Sequence, residues 1–288
     1  MTFDLSTVGR PGPPHEFTID AERTTQYAAA TNDPIPAHRD GEFAPPVFAV
    51  VPIWDANAEA LASLVPPEVM LQVLHGEQDI HLYRPVRPGD VLTSRATILG
   101  VHVKPSGTTP VVRIDTTDPN GDLVVRQYMV TFFRGMADGE SAGEAAPPHR
   151  LTDEMKAGAP VAETTQAIDE DQTHRYAVAS GDLNPIHTDD EVARSVGLPG
   201  IINHGLCTMA FTSWAAVTEL ADADPTRLRR LAVRFSKPVS PGEKITTRFW
   251  ALSGSDAGVG ADTAAYGFET TDPSGDVVVK DGRVEISS

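Results

Sequence analysis

Apolar residues run almost all round the segment Asn203 to Ala221, NHGLCTMAFTSWAAVTELA, which predicts a helix buried on every side. Downstream, Leu228 to Pro238, Ile245 to Leu252, Thr263 to Thr271 and Val277 to Ile286 carry strand propensity, and Pro-Gly and Asp-Pro-Ser-Gly turns separate them. Upstream, Ala162 to Asp169 reads as a strand and Glu170 to Ser180 as a short helix whose apolar side includes Tyr176 and Ala179. A loop from Gly181 to His187 follows. Thr188 and Glu191 then have the spacing of a capping box, which predicts a helix over Asp189 to Val196 that Gly197 stops. Strand, buried helix and consecutive antiparallel strands describe an α+β layer in which a sheet covers one helix.

The chain contains this pattern twice. YAAATNDPIPAH at Tyr27 to His38 lines up with YAVASGDLNPIH at Tyr176 to His187, 149 residues later, and Ile19-Asp20 falls on Ile168-Asp169 at the same offset. RPVRPGD at Arg84 to Asp90 matches KPVSPGE at Lys237 to Glu243, and TTDPNGDLVV at Thr116 to Val125 matches TTDPSGDVVV at Thr270 to Val279. Four matched blocks in one order identify a duplication of a unit of roughly 130 residues, a normal single-domain size. The segment Gly135 to Pro160, rich in Gly, Ala, Pro and charge, reads as the linker. The expected organisation is therefore a first domain over residues 1–134, a linker over 135–160 and a second domain over 161–288.

Composition narrows the field of functions. No window approaches the eighteen or so uninterrupted apolar residues of a spanning helix, and MTFDLSTVGRPGPP lacks the basic and apolar blocks of a signal peptide, so the expectation is a cytoplasmic protein without membrane insertion. Cys207 is the single cysteine, which excludes an intramolecular disulfide and a thiolate metal cluster. Forty acidic against 23 basic residues leave a net charge of -17, which repels phosphate backbones and argues against nucleic-acid binding. A phosphate-bearing ligand would need a local cationic patch. Arg229, Arg230, Arg234 and Lys237, with Arg84 and Arg87 at the equivalent place in the first repeat, are candidates on or beside strands, and a solvated strand face accounts for them equally well.

Candidate chemistry concentrates in the loop Gly181-Asp182-Leu183-Asn184-Pro185-Ile186-His187. Pro185 holds its own backbone and restricts Asn184, while Gly181 permits a tight turn into Asp182. A carboxylate and an imidazole five residues apart on such a loop can share a water, take its proton and return one to a neighbouring carbon. Spacing alone also fits a plain turn, since Asp and Asn before Pro are ordinary turn residues. His204-Gly205 adds a second element: it opens the buried helix, where free N–H groups and the helix dipole can hold a thioester oxyanion. No phosphate-cradling glycine loop and no metal-ligand spacing is present, so no cofactor or metal is expected.

YAxASGDxNPIH, followed by PGxxxHG and a long helix, resembles the MaoC-like dehydratase, or type 2 (R)-specific enoyl-CoA hydratase, family over nearly all of Val161 to Ile286. The resemblance implies a tandem (double) hot-dog fold, each unit an antiparallel sheet wrapped round a central helix. It implies reversible syn hydration of trans-2-enoyl thioesters to (R)-3-hydroxyacyl thioesters, or the reverse dehydration. Carried over by position, Asp182 and His187 become the acid/base pair and the Gly205 N–H the oxyanion donor. Asn184 becomes a loop-shaping and positioning residue, and His204 and Ser213 join it as substrate-binding positions, Ser213 being equally explained as a serine packed between helix and sheet. CoA or phosphopantetheine enters as part of an acyl-CoA or acyl-carrier substrate. The first repeat keeps Asp33 and His38, but Asn32 replaces the glycine, Ile35 replaces the asparagine, and APPVFAVV at Ala44 to Val51 has no His-Gly. That half is expected to be catalytically silent and to pair with the second as a pseudo-dimer shaping the acyl tunnel, with a homodimer as a further level of assembly. The alternatives are a hot-dog acyl-thioesterase, which would release free thiol, and a non-catalytic acyl-thioester binding partner.

Overall fold

The computed structural model describes residues 3–66, 69 and 73–288. Its strands are β1 (Pro11–Thr18), β2 (Val73–Leu82), β3 (Val91–Lys104), β4 (Gly107–Thr117), β5 (Leu123–Arg134), β6 (Ala142–Gly143), β7 (Ala162–Ala167), β8 (Leu228–Phe235), β9 (Lys244–Ala251), β10 (Thr263–Thr271) and β11 (Val277–Ser287). The helices used below are α1 (Ala21–Ala30), α2 (Pro36–Arg39), α3 (Trp54–Leu64), α4 (Gln172–Ser180), α5 (Asp190–Ser195) and α6 (Gly205–Leu220).

Two compact units emerge, and they do not follow the repeat boundary. One comprises Met1–Thr18, Pro52–Tyr83 and Asp90–Pro148; the other comprises Ile19–Val51, Arg84–Gly89 and His149–Ser288. In the first, five strands pair antiparallel in the order β1-β3-β4-β5-β2. Helix α3 turns Ala56, Leu61 and Leu64 onto Ala96, Ile98, Val112, Ile114, Met129 and Phe133, and this apolar layer is the unit's core. In the second unit the antiparallel order is β8-β11-β10-β9-β7. Its α6 buries eleven of its residues, Leu206 to Ser213 without a break among them, as a helix wrapped by a sheet must. This is the hot-dog arrangement, built twice.

Matching details mark the duplication. Asp118 Oδ1 accepts the N–H groups of Asn120 and Asp122, and Asp272 Oδ1 accepts those of Ser274 and Asp276, so the two DPxG hairpins close identically. Ser94 and Thr116 share a buried hydroxyl hydrogen bond at 2.9 Å, and Thr247 and Thr270 repeat it at 2.9 Å. The sheet-covered helices therefore sit in sheets of common design.

Helices α1 and α4, the repeated YA-containing segments, pack on each other inside the second unit. Each helix end borrows donors from the other repeat. Arg23 of α1 donates to the carbonyls of Ala179 and Ser180 at 3.1 and 3.3 Å, closing the C-terminus of α4. In return Gln172 donates to the Ala30 carbonyl, Arg175 to the Ala29 carbonyl at 3.0 Å and Trp214 to the Thr31 carbonyl at 3.0 Å. Carbonyls at a helix end lack intrahelical partners, and these side chains satisfy them. These bonds lie within the compact unit that holds both Ile19–Val51 and His149–Ser288.

Two local expectations change. Asp189, not Thr188, caps α5: its carboxylate accepts from both Glu191 and Val192 N–H, while Thr188 ends the preceding 3-10 turn. One carboxylate oxygen, Asp189 Oδ1, accepts both free N–H groups, at 2.9 and 3.0 Å, which the Thr188 hydroxyl does not do here. The Gly135 to Pro160 segment is also no free linker. Ala142 and Gly143 pair with β3 in the first unit; in the second, Leu151 is buried and its N–H donates to Asp281, the Gly158 carbonyl accepts the Trp250 indole N–H, and Lys156 bonds Glu269. Pro46–Leu64 is, among the described residues, the one helical stretch with the length and apolar composition of a membrane span. Within it, 61% of the apolar window is buried inside the protein.

Candidate active site

The catalytic candidates are held between three elements of the second unit. Helix α4 ends at Gly181, whose φ of +80° is the left-handed conformation that lets the chain leave the helix in a tight turn. A Cβ there would meet the Arg23 guanidinium at 3.0 Å, a contact that this flexible side chain can relieve, so the backbone conformation is what favours glycine. Beyond it the Asp182 N–H donates to Ser180 Oγ at 3.2 Å, and Asp182 Oδ1 accepts the Asn184 N–H at 3.2 Å. Asn184 Oδ1 in turn accepts the Ile186 N–H at 3.3 Å and caps the 3-10 turn Pro185–His187. Asn184 thus shapes the loop through its own backbone, and its side chain lies on the exposed side.

His187 is buried at the end of that turn. Its Nδ1 faces the Ile202 carbonyl at 2.8 Å and must donate to it, which commits the proton to Nδ1 and leaves the Nε2 lone pair free as a base. His204, 1% exposed, stacks on it with ring centroids 3.7 Å apart and planes at 26°. Tyr176 also packs on His204, with ring centroids 4.9 Å apart and planes at 51°. His204 Nε2 donates to the Asp182 carbonyl at 3.1 Å. A ring nitrogen of each histidine and a carboxylate oxygen of Asp182 fall within 4.8 Å of one another.

On distance alone the trio approaches metal-ligand spacing. Near-parallel stacked rings direct their lone pairs side by side instead of toward one point, so a cation in the plane of one imidazole would lie far out of the plane of the other. The arrangement suits a shared proton better than a shared ion.

Burial is the dominant influence on both imidazoles. It lowers the pKa of His187, partly offset by the Ile202 hydrogen bond and the Asp182 charge. His204 is driven down to about 3 by burial and by its neighbour His187, so it stays neutral. Tyr176 and Cys207 are pushed well above their usual range by burial and stay protonated. A neutral His187 beside a carboxylate, with no competing thiolate, is prepared for general-base chemistry.

Gly205 begins α6 directly after His204. The Thr208 N–H makes its bond back to the His204 carbonyl, and no side chain of the N-cap residue reaches the open end, so the first N–H groups remain available at the positive end of the dipole. A Cβ on Gly205 would sit 3.3 Å from the Phe235 ring. Ser213 lies two turns further along, 2% exposed, and its Oγ has no hydrogen-bond partner. The structure therefore gathers Asp182, His187, His204 and Gly205, sets Asn184 behind them as a turn former, and leaves Ser213 apart on the helix.

The first repeat keeps its pair in another form. His38 Nδ1 donates straight to Asp33 Oδ2 at 2.7 Å, with side-chain exposures of 0% and 3%, while Asp33 Oδ1 accepts the Ile35 N–H at 2.9 Å. Of the cationic candidates, Arg230 pairs with Glu285, Lys237 with Asp276 and Arg234 with Asp281, and Arg87 lies over the Phe43 ring. Three of the six candidate charges are thus paired with carboxylates within the chain. Sequence reading passed over Arg23 and the Tyr27–Tyr176 contact, whose hydroxyls bond at 3.0 Å. The repeat alignment carried a signal for the tyrosines, which fall on each other, but none for Arg23.

Comparison with known proteins gives this site a family. Residues 153–266 match the MaoC like domain model, and residues 6–127 match the FAS1-like dehydratase domain region. The chain is 32% identical over 208 residues to the "Probable enoyl-CoA hydratase 2" of Dictyostelium discoideum, covering 72% of this chain and 69% of that one. The chain belongs to the MaoC-like dehydratase family. As a MaoC-like dehydratase it is an enzyme of the hydro-lyase class. A second relative is the "3-hydroxyacyl-thioester dehydratase Y" of Mycobacterium tuberculosis, 30% identical over 263 residues, 87% of this chain and 88% of that one. Among solved structures, a MaoC-like dehydratase from Phytophthora capsici superposes with a TM-score of 0.83 at 24% identity over 99% of both chains. A double-hotdog protein of Mycobacterium tuberculosis superposes with a TM-score of 0.62 at 14% identity, over 97% of this chain and 96% of that one. These two likenesses establish the double hot-dog fold of this MaoC-like dehydratase. Some relatives carry peroxisomal names, and in the peroxisomal multifunctional enzyme type 2 of Drosophila melanogaster the match takes up 36% of that protein.

Proposed function

We propose that the protein catalyses reversible syn hydration of trans-2-enoyl thioesters, carried on CoA or an acyl carrier, to (R)-3-hydroxyacyl thioesters. The observation that carries the reading is the meeting of the Asp182 carboxylate with a neutral His187 imidazole beside the uncapped start of α6. A water held by the pair gives up a proton to it as the water oxygen bonds to C3. The C2=C3 electrons move onto the thioester oxygen as an enolate, which the Gly205 N–H and the helix dipole stabilise. The pair then returns one proton to C2 on the same face, so that one water is added in full and Asp182 and His187 end as they began. Dehydration is the same path reversed.

The relatives named enoyl-CoA hydratase 2 and 3-hydroxyacyl-thioester dehydratase support this chemistry. The first repeat, with its pair bonded internally and no His-Gly, is proposed as the non-catalytic half. The test is loss of enoyl absorbance on crotonyl-CoA and a longer enoyl-CoA. Asp182→Asn and His187→Ala, each with wild-type circular dichroism, are expected to lose at least a hundredfold in kcat. Full activity in both variants would overturn the assignment.

A further inference from the structure

The two repeats provide an internal control on what holds the acid/base pair open. In the first repeat the pair is closed: His38 Nδ1–H spends itself on Asp33 Oδ2 at 2.7 Å, inside a sealed environment. In the second, the corresponding His187 Nδ1–H goes to the Ile202 carbonyl, and the Asp182 carboxylate faces the loop N–H of Asn184. Closure consumes one carboxylate oxygen and the imidazole proton on each other, leaving no place between them for a water.

The ring packed on the repeated tyrosine differs between the two. Tyr176 has His204 at 4.9 Å, whereas Tyr27 has Phe48 edge-on at 5.4 Å and 85°. By backbone pairing the counterpart of His204 is Pro45: the Ala44 N–H bonds the Val86 carbonyl at 2.9 Å as the Asn203 N–H bonds the Val239 carbonyl at 2.7 Å, so Pro45-Pro46 stand where His204-Gly205 stand. Neither Pro45 nor the Phe48 that packs on Tyr27 has a side-chain N–H to give the backbone of the loop. His204 does: its Nε2–H holds the Asp182 carbonyl at 3.1 Å, and its face covers His187 at 3.7 Å.

We propose that His204 is a positioning residue, whose N–H to the Asp182 carbonyl and whose stack on His187 hold the acid/base pair apart in the open, water-accepting arrangement. It donates no proton to substrate, because its N–H is committed and its ring is buried against Tyr176 and His187. The role rests on the hydratase reading above, but it makes a structural claim that is measurable without turnover.

The decisive variant is His204→Phe, which keeps aromatic bulk and removes the donor. On crotonyl-CoA its kcat is expected to fall at least thirtyfold with KM within threefold, because the acid/base pair acts in the transition state and not in binding. His204→Gln, which can still present an N–H near the Nε2 position, is expected to recover part of that kcat. Adding His204→Phe to His187→Ala is expected to cost nothing further, since the effect passes through His187. Histidine-labelled NMR supplies the activity-free readout. In His204→Phe the His187 imidazole, flanked by Asp182 and with Tyr176 beyond the substituted ring, is expected to bond the carboxylate and titrate at higher pH than in the wild type. A rise in KM with kcat unchanged would instead make His204 a direct substrate contact. A multiplicative loss in the double variant, or an unaltered His187 titration, would equally overturn the proposal. Absence of hydratase activity in the wild type would remove the function and leave the NMR result to decide the positioning role.

Discussion

Acid should destabilise this protein through His204, and the size of the effect follows from its burial. In the folded chain His204 is neutral, with a pKa driven to about 3 by burial and by His187; unfolded, it returns to its ordinary 6.5. Between those values the unfolded state binds the extra proton, so stability rises with pH in that window. The contribution is complete above pH 6.5 and is lost as pH falls toward 3, at about 1.4 kcal/mol per unit. From pH 7.5 to pH 5 the loss is about 2 kcal/mol, a large part of a typical folding free energy. His187, also lowered by burial, acts in the same direction. Urea titrations of wild type and His204→Phe at the two pH values, extrapolated linearly, measure it. The wild type should lose at least about 2 kcal/mol more than the variant on acidification. Equal losses in the two proteins would refute the premise that a neutral, sealed His204 is part of the native site.

Three further outcomes follow from the packing. Gly205→Ala places a methyl 3.3 Å from the Phe235 ring; it should cost about 1–3 kcal/mol in stability and, by shifting the oxyanion N–H, lower kcat tenfold or more, read by steady-state kinetics. His38→Ala leaves the Asp33 carboxylate buried without its partner and should destabilise by about 3–5 kcal/mol while kcat of the folded enzyme stays within twofold; a catalytic loss there would assign the first repeat a working site. Arg23→Met removes the donors to the Ala179 and Ser180 carbonyls, with an expected cost of about 1–2 kcal/mol and faster amide hydrogen exchange over Ala177 to Asp182.

Much of this molecule was legible one residue at a time. The buried helix, the strands after it and the DPxG hairpins were readable because hydrophobic period and turn chemistry are local properties. Asp182 and His187 could be paired as candidates because five residues of one loop separate them, whereas Gly205 came from the start of the buried helix and the resemblance. The duplication was readable because it is a comparison of the chain with itself, and it singled out the second loop against an altered copy. Tertiary structure alone decided the rest. That Ile19–Val51 packs with the second unit depends on Arg23, Gln172, Arg175 and Trp214 meeting helix ends some 140 to 185 residues away, and free carbonyls leave no mark in a sequence. That His38 bonds Asp33 while His187 bonds Ile202 is a difference of tertiary packing. Identical Asp and His spacing is compatible with a closed pair or an open one, and only packing in three dimensions chooses between them.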